Sequence, residues 1–452
     1  MPQEIRFNAF EMACVSHQSP GLWRHPDDQS FRYKSLQYWI ELAQTLERGL
    51  FDGIFLADVL GLYDVYGGGP DAALRHAIQV PVNDPLLLVP AMAAFTQNLG
   101  FGVTVNLSYE PLYPFARRMS TLDHLTEGRI GWNIVTGYLE SAARANGKTK
   151  QLAHDDRYAL AEDYLQAIRK LWEESWDDDA VKADKSGVYA DPAKVHAVHH
   201  HASGIELSGI HLSEPSPQRT PVLYQAGTSP AGRRFAARNA ECIFISGPSK
   251  QVLKGRVTAL REDQRLYSTS GKPFLIYALA TIVTGETEQE AEAKYQDYKR
   301  YIDAEASLAL MSGWTGVDFS TLDPASTVQH VENDAGRSAL ENITRADLSR
   351  SWTVSEVAQH LSIGGIGPVF KGSPQQVCDQ LEEWQAATGI DGFNIAFAVR
   401  PETFKSVVKY IVPELQRRGR YRTSYPAGTL REKLFGCARL PVPHTLDSRK
   451  AS

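Results

Sequence analysis

Eight apolar runs of strand length recur along the chain, each followed by a longer amphipathic stretch, and this alternation constrains the fold more than any other feature. The runs stand at 7–10 (FNAF), 53–58 (GIFLAD), 100–108 (GFGVTVNLS), 129–136 (RIGWNIVT), 222–227 (VLYQAG), 242–246 (CIFIS), 275–284 and 393–398 (FNIAFA). Between them, helical stretches are read at 36–50, 85–99, 112–125, 156–176, 230–239, about 250–266, about 286–302, 374–387 and 405–417. Near-continuous apolar strands fit a parallel sheet covered on both faces. Eight such units predict an α/β chain folded as a (β/α)8 TIM barrel with insertions between barrel units. A doubly wound sheet would carry a glycine fingerprint after its first strand. Here Phe10 is followed by Glu11, Met12, Ala13 and Cys14.

The 452 residues exceed the roughly 250 that a barrel needs, yet no Gly/Ser-rich or charge-rich linker divides them. Residues 177–220, rich in Asp, His, Ser and Pro, and 303–372, polar and irregular, break the rhythm. Residues 1–452 therefore read as one barrel domain with two insertions and a C-terminal tail from about 418. The excess is expected to cover the barrel mouth and select the substrate. The balance of 47 basic against 53 acidic residues, a net charge of -6, argues against nucleic-acid binding, which rests on Lys and Arg neutralising phosphates. No run of about 18 apolar residues marks a membrane span. The four cysteines, Cys14, Cys242, Cys378 and Cys437, form no CxxC pair. Together with a start that lacks a secretory pattern, they suit a reducing, cytoplasmic setting.

Active sites of such barrels lie at the C-terminal ends of the strands. The second strand ends in Asp58, and the third, with Val103, Val105 and Leu107 packed outward, turns Thr104, Asn106 and Ser108 inward. The fourth supplies Asn133 and Thr136. After the fifth come Gln225, Ala226, Gly227, Thr228, Ser229 and Pro230. Ser229 reads as a helix N-cap and Pro230 as the first helical residue. Gly232 permits close approach, and Arg233 and Arg234 add positive charge. Such a helix start suits a phosphate, although an ordinary capped helix has the same pattern. His154 and Tyr158, four apart, share a helix face. Cys14 and His17 follow the first strand as a potential nucleophile pair, or His17 is simply a hydrogen-bonding loop residue. His196, His199, His200 and His201 are either a metal-binding run or a loop feature. Neither a P-loop, a G-x-S-x-G elbow nor an H-E-x-x-H motif occurs.

Several segments carry a family resemblance: NAFEMACVSH at 8–17, GLWRHP at 21–26, FDGIFLAD at 51–58, ARRMSTLDH at 116–124 and GRIGWNIVT at 128–136. HDDRY at 154–158, PQRTPVLYQAG at 217–227, GIDGFN at 389–394 and REKLFG at 431–436 continue it in order to the far end. The chain resembles the flavin-dependent monooxygenases of the bacterial luciferase superfamily, in the group acting on nitrilotriacetate, dibenzothiophene sulfone, dimethyl sulfide and long-chain alkanes. The resemblance implies reduced FMN and dioxygen as co-substrates, a flavin C4a-hydroperoxide, and one oxygen atom entering a small or medium apolar sulfide, sulfone or alkane. It implies FMN contacts from Asp58, Thr104, Asn133, His154, Tyr158, Ala226, Gly227, Thr228 and Ser229. Cys14 and His17 would flank the substrate, and Tyr138 stands where alkane-oxidising relatives carry His. Those relatives also carry a His in the second insertion, where this chain reads Ala309, Leu310, Met311 and Ser312. With no nicotinamide fingerprint, a separate NAD(P)H:flavin reductase is the expected electron source, and a homodimer or homotetramer the expected assembly. Two alternatives remain: a metal-dependent barrel hydrolase built on His17, His25, Asp58 and the His196–His201 run, and a non-catalytic flavin-binding protein.

Overall fold

Eight parallel strands close into a ring in the computed structural model, which describes residues 3–202, 204–227, 229–268, 271, 273–329, 337–344 and 350–440. The strands are β1 (Arg6–Met12), β2 (Gly53–Ala57), β3 (Gly100–Asn106), β4 (Ile130–Val135), β5 (Val181–Asp184), β6 (Val188–Ala190), β7 (Val198–Ala202), β8 (Ile205–Gly209), β9 (Val222–Gln225), β10 (Cys242–Ile245), β11 (Leu275–Thr284), β12 (Val369–Gly372) and β13 (Gly392–Ala396). The ring runs β10-β9-β4-β3-β2-β1-β13-β11, and pairing of β10 with β11 closes it. These are the eight runs read from the sequence, and the barrel is a (β/α)8 barrel. β12 falls inside the stretch read as the second insertion. It pairs with Thr281–Thr284, the far end of the ten-residue β11, and so satisfies backbone groups that overshoot the ring.

Outward side chains of the strands, among them Phe7, Ile54, Phe101, Val103 and Trp132, pack under the surrounding helices in one core. The helices include Leu36–Arg48, Leu112–Leu125, His154–Glu174, Pro230–Asn239, Lys250–Tyr267, Glu288–Lys299 and Pro374–Thr388, close to the predicted spans. Two spans differ. The stretch 85–99 is a 3-10 turn (Pro85–Leu88) and a short helix (Val89–Ala94). The helix stops because the Glu47 carboxylate accepts from the backbone N–H groups of Gln97, Asn98 and Leu99. The closing helix begins earlier, at Glu402, and widens to a π turn over Val407–Ile411 just before Pro413, which has no N–H to continue the regular ladder.

The insertions are more ordered than expected. Residues 177–220 hold two antiparallel hairpins, β5–β6 and β7–β8. Residues 303–372 hold helices Ala304–Thr315, Arg337–Thr344 and Val354–Leu361 around a separate apolar cluster that includes Met311, Phe319, Trp352, Val357 and Ile366. Val354, Val357, Ala358 and Leu361 have helical spacing and are all buried, a helical signal inside a stretch whose polar composition suggests irregular chain. The described part of the tail, residues 418–440, packs away from the mouth. Leu430 and Leu434 of helix Leu430–Phe435 cap the opposite end, with Leu430 N–H on Gly128 O and its side chain against Gly100, the first residue of β3.

Inside the ring, Phe55, Tyr224, Phe244 and Tyr277 form an aromatic plug, with Phe10 packed against it. Gly102 and Gly131 make room for it. A Cβ on Gly131 would overlap the Tyr224 ring, and one on Gly102 would sit 3.4 Å from it. The plug fills the lower barrel and leaves space only toward the strand C-termini. Gly131→Ala is expected to cost about 1–3 kcal/mol by overpacking. In denaturant titrations the loss should shrink when Tyr224→Leu is present, because the two sites share one contact.

Candidate active site

A cavity of about 390 Å³ opens above the plug. Every barrel strand contributes to it, from its middle or its C-terminal end: Phe10 from β1, Phe55 and Ala57 from β2, Asn106 from β3, Ile134 and Val135 from β4, Gln225 from β9, Phe244 and Ile245 from β10, Leu279 from β11 and Asn394 from β13. Trp314 and Ile366 reach in from the second insertion.

One side of the cavity is polar and cationic. Ser229 caps helix Pro230–Asn239, its hydroxyl accepting from Gly232 N–H at 3.1 Å. The Tyr158 hydroxyl lies against this start: a Cβ on Gly227 or Gly232 would stand 2.8 or 2.7 Å from it. Glycine at both positions therefore builds the cradle. His154, Arg157 and Tyr158 come from the first turns of helix His154–Glu174, and Arg256 from helix Lys250–Tyr267. Burial lowers the Arg256 guanidinium to about 10, with Glu341 opposing and the neighbouring Arg233 adding to the shift, so it stays charged at neutral pH. The positive charge expected at Arg233 and Arg234 is elsewhere: Arg233 Nε bonds Asp263 at 2.7 Å and Arg234 is exposed. The helix start and the Arg157 and Arg256 guanidinium groups give this side a positive potential that favours an anion.

The other side is neutral. Tyr63 O–H donates to Gln79 Oε1 at 2.9 Å and accepts from the Tyr138 hydroxyl at 2.6 Å. Trp314 bonds Tyr63 as well. Burial pushes the Tyr138 hydroxyl up to about 12, so it remains protonated. The donors of this chain are committed to one another, and the wall around them is apolar: Leu60, Leu139 and Ala142. Asp58 follows β2 on the cavity wall. Burial, with some repulsion from Asp84, raises its carboxyl to about 7 against a bond from Val59 N–H.

The expected site residues that are described fall into three groups. His17, Asp58, Tyr138, His154, Tyr158, Ala226, Gly227 and Ser229 line the cavity. Thr104 and Asn133 face inward but lie beneath its surface, joined by a 2.9 Å bond from Asn133 Nδ2 to Thr104 Oγ1, with Asn133 Oδ1 unpartnered among the described residues. Cys14 stands outside the wall: its thiol donates to Ser16 O at 3.3 Å and burial raises it to about 12, so it is no thiolate nucleophile. Thr228 lies outside the described residues. Phe10, Phe55, Leu60 and Tyr63 also line the cavity. Gln18, Gln79, Arg157, Arg256, Trp314, Ile366 and Asn394 were missed. Arg157 sat inside the quoted HDDRY segment, whereas Arg256 belongs to a helix whose pattern speaks only of packing.

The histidine run does not assemble with the cavity. His199 Nδ1 bonds Ser208 Oγ at 3.0 Å, His201 pairs with Glu206 at 3.2 Å across the β7–β8 hairpin, and His196 pairs with Asp177 at 3.2 Å. His25 pairs with Asp297 at 2.8 Å. Among the described residues no group of three His, Cys, Asp or Glu side chains stands ready to hold a metal ion, and no helix is long and apolar enough to cross a membrane.

The family model of luciferase-like monooxygenases matches residues 10–392, and the chain belongs to that family. The dimethyl-sulfide monooxygenase of Hyphomicrobium sulfonivorans is 50% identical over 437 residues, covering 96% of this chain and 91% of the relative. The long-chain alkane monooxygenase of Geobacillus thermodenitrificans is 45% identical over 450 residues, covering 98% and 97%. Among solved structures, a riboflavin lyase with modified FMN and its substrate riboflavin superposes with a TM-score of 0.90 at 35% identity, over 97% of this chain and 97% of that one.

The raised Asp58 carboxyl has a testable consequence. A ligand that covers Asp58 removes its remaining water and favours the protonated form, so binding weakens as pH rises through about 7. Measured by flavin fluorescence between about pH 6 and about pH 8, the wild-type Kd for FMN should rise relative to that of Asp58→Asn. A constant ratio would show that the carboxyl does not titrate against the ligand.

Proposed function

We propose that the protein is the oxygenase component of a two-component, FMN-dependent monooxygenase acting on a small or medium neutral, apolar substrate: a sulfide, sulfone or alkane. The observation that carries this reading is the two-sided cavity, with an anion cradle at Ser229, Arg157 and Arg256 and a neutral wall at Tyr63, Tyr138 and Trp314. FMN has the same division, a phosphate at one end and a flat ring at the other. The residues present fit it: glycines at 227 and 232 open the cradle, and Asn133 Oδ1 and His17 Nδ1 are buried polar atoms without partners among the described residues.

In this reading Ser229, the Ala226 and Gly227 backbone, His154, Tyr158 and Arg256 hold the ribityl phosphate. Asp58, Thr104 and Asn133 stand toward the ring. Reduced FMN supplies the two electrons that activate dioxygen, so that one oxygen atom enters the substrate and the other leaves as water. Phe10, Phe55, Phe244 and Leu279 keep bulk water from the reacting atoms. His17 is held neutral, because burial and the nearby Arg400 charge push its pKa down to about 3, and it offers hydrogen bonds without charge. The committed donors at Tyr63 and Tyr138 leave nothing to neutralise carboxylates there, which favours neutral substrates over amine polycarboxylates. Electrons come from a separate NAD(P)H:flavin reductase, in the cytoplasm, and the protein acts as a homo-oligomer.

Given a flavin reductase, NADH, FMN and 18O2, the enzyme should place one labelled oxygen atom in a dialkyl sulfide, an aryl sulfone or an alkane, and none in an amine polycarboxylate. Mass spectrometry reads the result. Label in none of the neutral substrates would overturn the proposal, as would stoichiometric zinc in protein purified without a His-tag. Ser229→Asp isolates the anion cradle, since Asp caps a helix as well as Ser does. It should weaken FMN binding about tenfold or more, at least ~1.4 kcal/mol, by setting a carboxylate against the phosphate.

A further inference from the structure

The Gly364, Gly365, Ile366, Gly367 turn reaches the barrel mouth from the second insertion, and the flavin reading leaves it without a purpose. Its backbone comes unusually close to the loop after β1. Gly364 N–H donates to Ser19 Oγ at 3.0 Å, and Ser19 Oγ donates to Phe397 O at 3.0 Å. A Cβ on Gly364 would overlap Thr281 Oγ1, and one on Gly367 would stand 2.7 Å from Leu279 O. Gly365, at φ +67, has Gln18 Oε1 where a Cβ would be. Three glycines in four residues thus allow one insertion turn to lie flush on β11 and on the residue beside His17.

Gln18 in turn governs His17. Its carboxamide Nε2 stands 3.2 Å from His17 Nε2. In this orientation of the carboxamide its nitrogen donates, which gives His17 Nε2 the accepting role and puts the proton of the neutral ring on Nδ1. The ring is boxed by Phe10, edge-on at 4.5 Å, and by Phe397 at 6.3 Å. Its loop is anchored from below by Arg400, whose guanidinium donates to Cys14 O at 2.6 Å and to Met12 O at 2.9 Å, and pairs with Glu11. Nδ1 is buried, has no partner among the described residues, and belongs to a ring that borders the cavity. A buried donor is left unmatched only at a cost, and a ligand acceptor removes that cost.

We propose that Gln18 is a positioning residue: it fixes the His17 ring with its proton on Nδ1, aimed at an oxygen acceptor of the bound reactants, and the Gly364 and Gly365 turn holds Gln18 in register. The acceptor's identity rests on the monooxygenase reading, while the tautomer does not. The insertion then does more than cover the mouth, since it sets which nitrogen of His17 carries the hydrogen.

Histidine-15N NMR of the flavin-free protein tests this, with the His17 signals assigned by their loss in His17→Asn. Wild type should show a neutral ring protonated on Nδ1 at neutral pH. Gln18→Glu, whose carboxylate only accepts, should place a proton on Nε2. Gln18→Leu and Gly365→Ala should give a mixture of the two tautomers, and Gln18→Leu should lower turnover at unchanged FMN affinity. An Nε2-protonated ring in wild type overturns the proposal even if no variant folds, and so does an unchanged His17 signal in Gln18→Glu. Protein that binds no FMN yet shows the Nδ1 tautomer would end the flavin reading and leave this one standing.

Discussion

An eight-stranded barrel has an interior just wide enough to be filled by side chains, and what fills it decides where anything else can bind. Here the filling is aromatic and sits low. Tyr224 enters over Gly102 and Gly131, stacks on Phe244 at 5.5 Å, and is joined by Phe55 and Tyr277. Leu430 and Leu434 close the strand N-terminal end. Below them Asp52 is held by Arg6 at 3.1 Å, by Arg422 and by the Tyr277 hydroxyl at 2.8 Å, and these partners keep its carboxyl below the ordinary range despite burial. With one end sealed, the cavity must lie at the other, where all eight strands and the following loops converge.

The chemistry of that cavity follows from which loops arrive. A short glycine-containing turn joins β9 to a helix capped by Ser229, so the helix start borders the cavity, and Arg157 and Arg256 add charge from two further helices. The hydroxyl chain of Tyr138, Tyr63 and Gln79 closes the neutral wall. The insertion helix Ala304–Thr315 packs onto it at Gly313, where a side chain would collide with the Tyr63 ring. The neutral wall is therefore built partly by chain outside the repeating unit.

Periodicity made the barrel legible, because strands buried on both faces and helices buried on one leave patterns that no later contact erases. All eight ring strands could be placed, along with Asp58, His154, Tyr158 and Ser229 at the cavity. Legibility failed where position depends on distant chain. Arg256 and Arg233 look alike as helix cations, and only the fold shows that Asp263 takes Arg233 while Arg256 faces the cavity. Cys14 and His17 are three apart, yet the loop turns the thiol onto Ser16 O and the ring toward the cavity. β12 has no pattern of its own and exists because β11 overshoots the ring. The tail from 418 looked like cover for the mouth, but its buried Leu430 and Arg431 belong to the opposite end, where Arg431 bonds Glu241 at 2.7 Å.

In the proposed function one side of the cavity takes a phosphate and the other a neutral ring and substrate. Calorimetric titration with FMN and with riboflavin, which lacks only the phosphate, tests it most directly. One FMN per chain is expected, bound about two orders of magnitude more tightly than riboflavin, with most of that difference lost in Arg256→Met. Equal affinity for the two flavins, or a difference that survives in Arg256→Met, would contradict it.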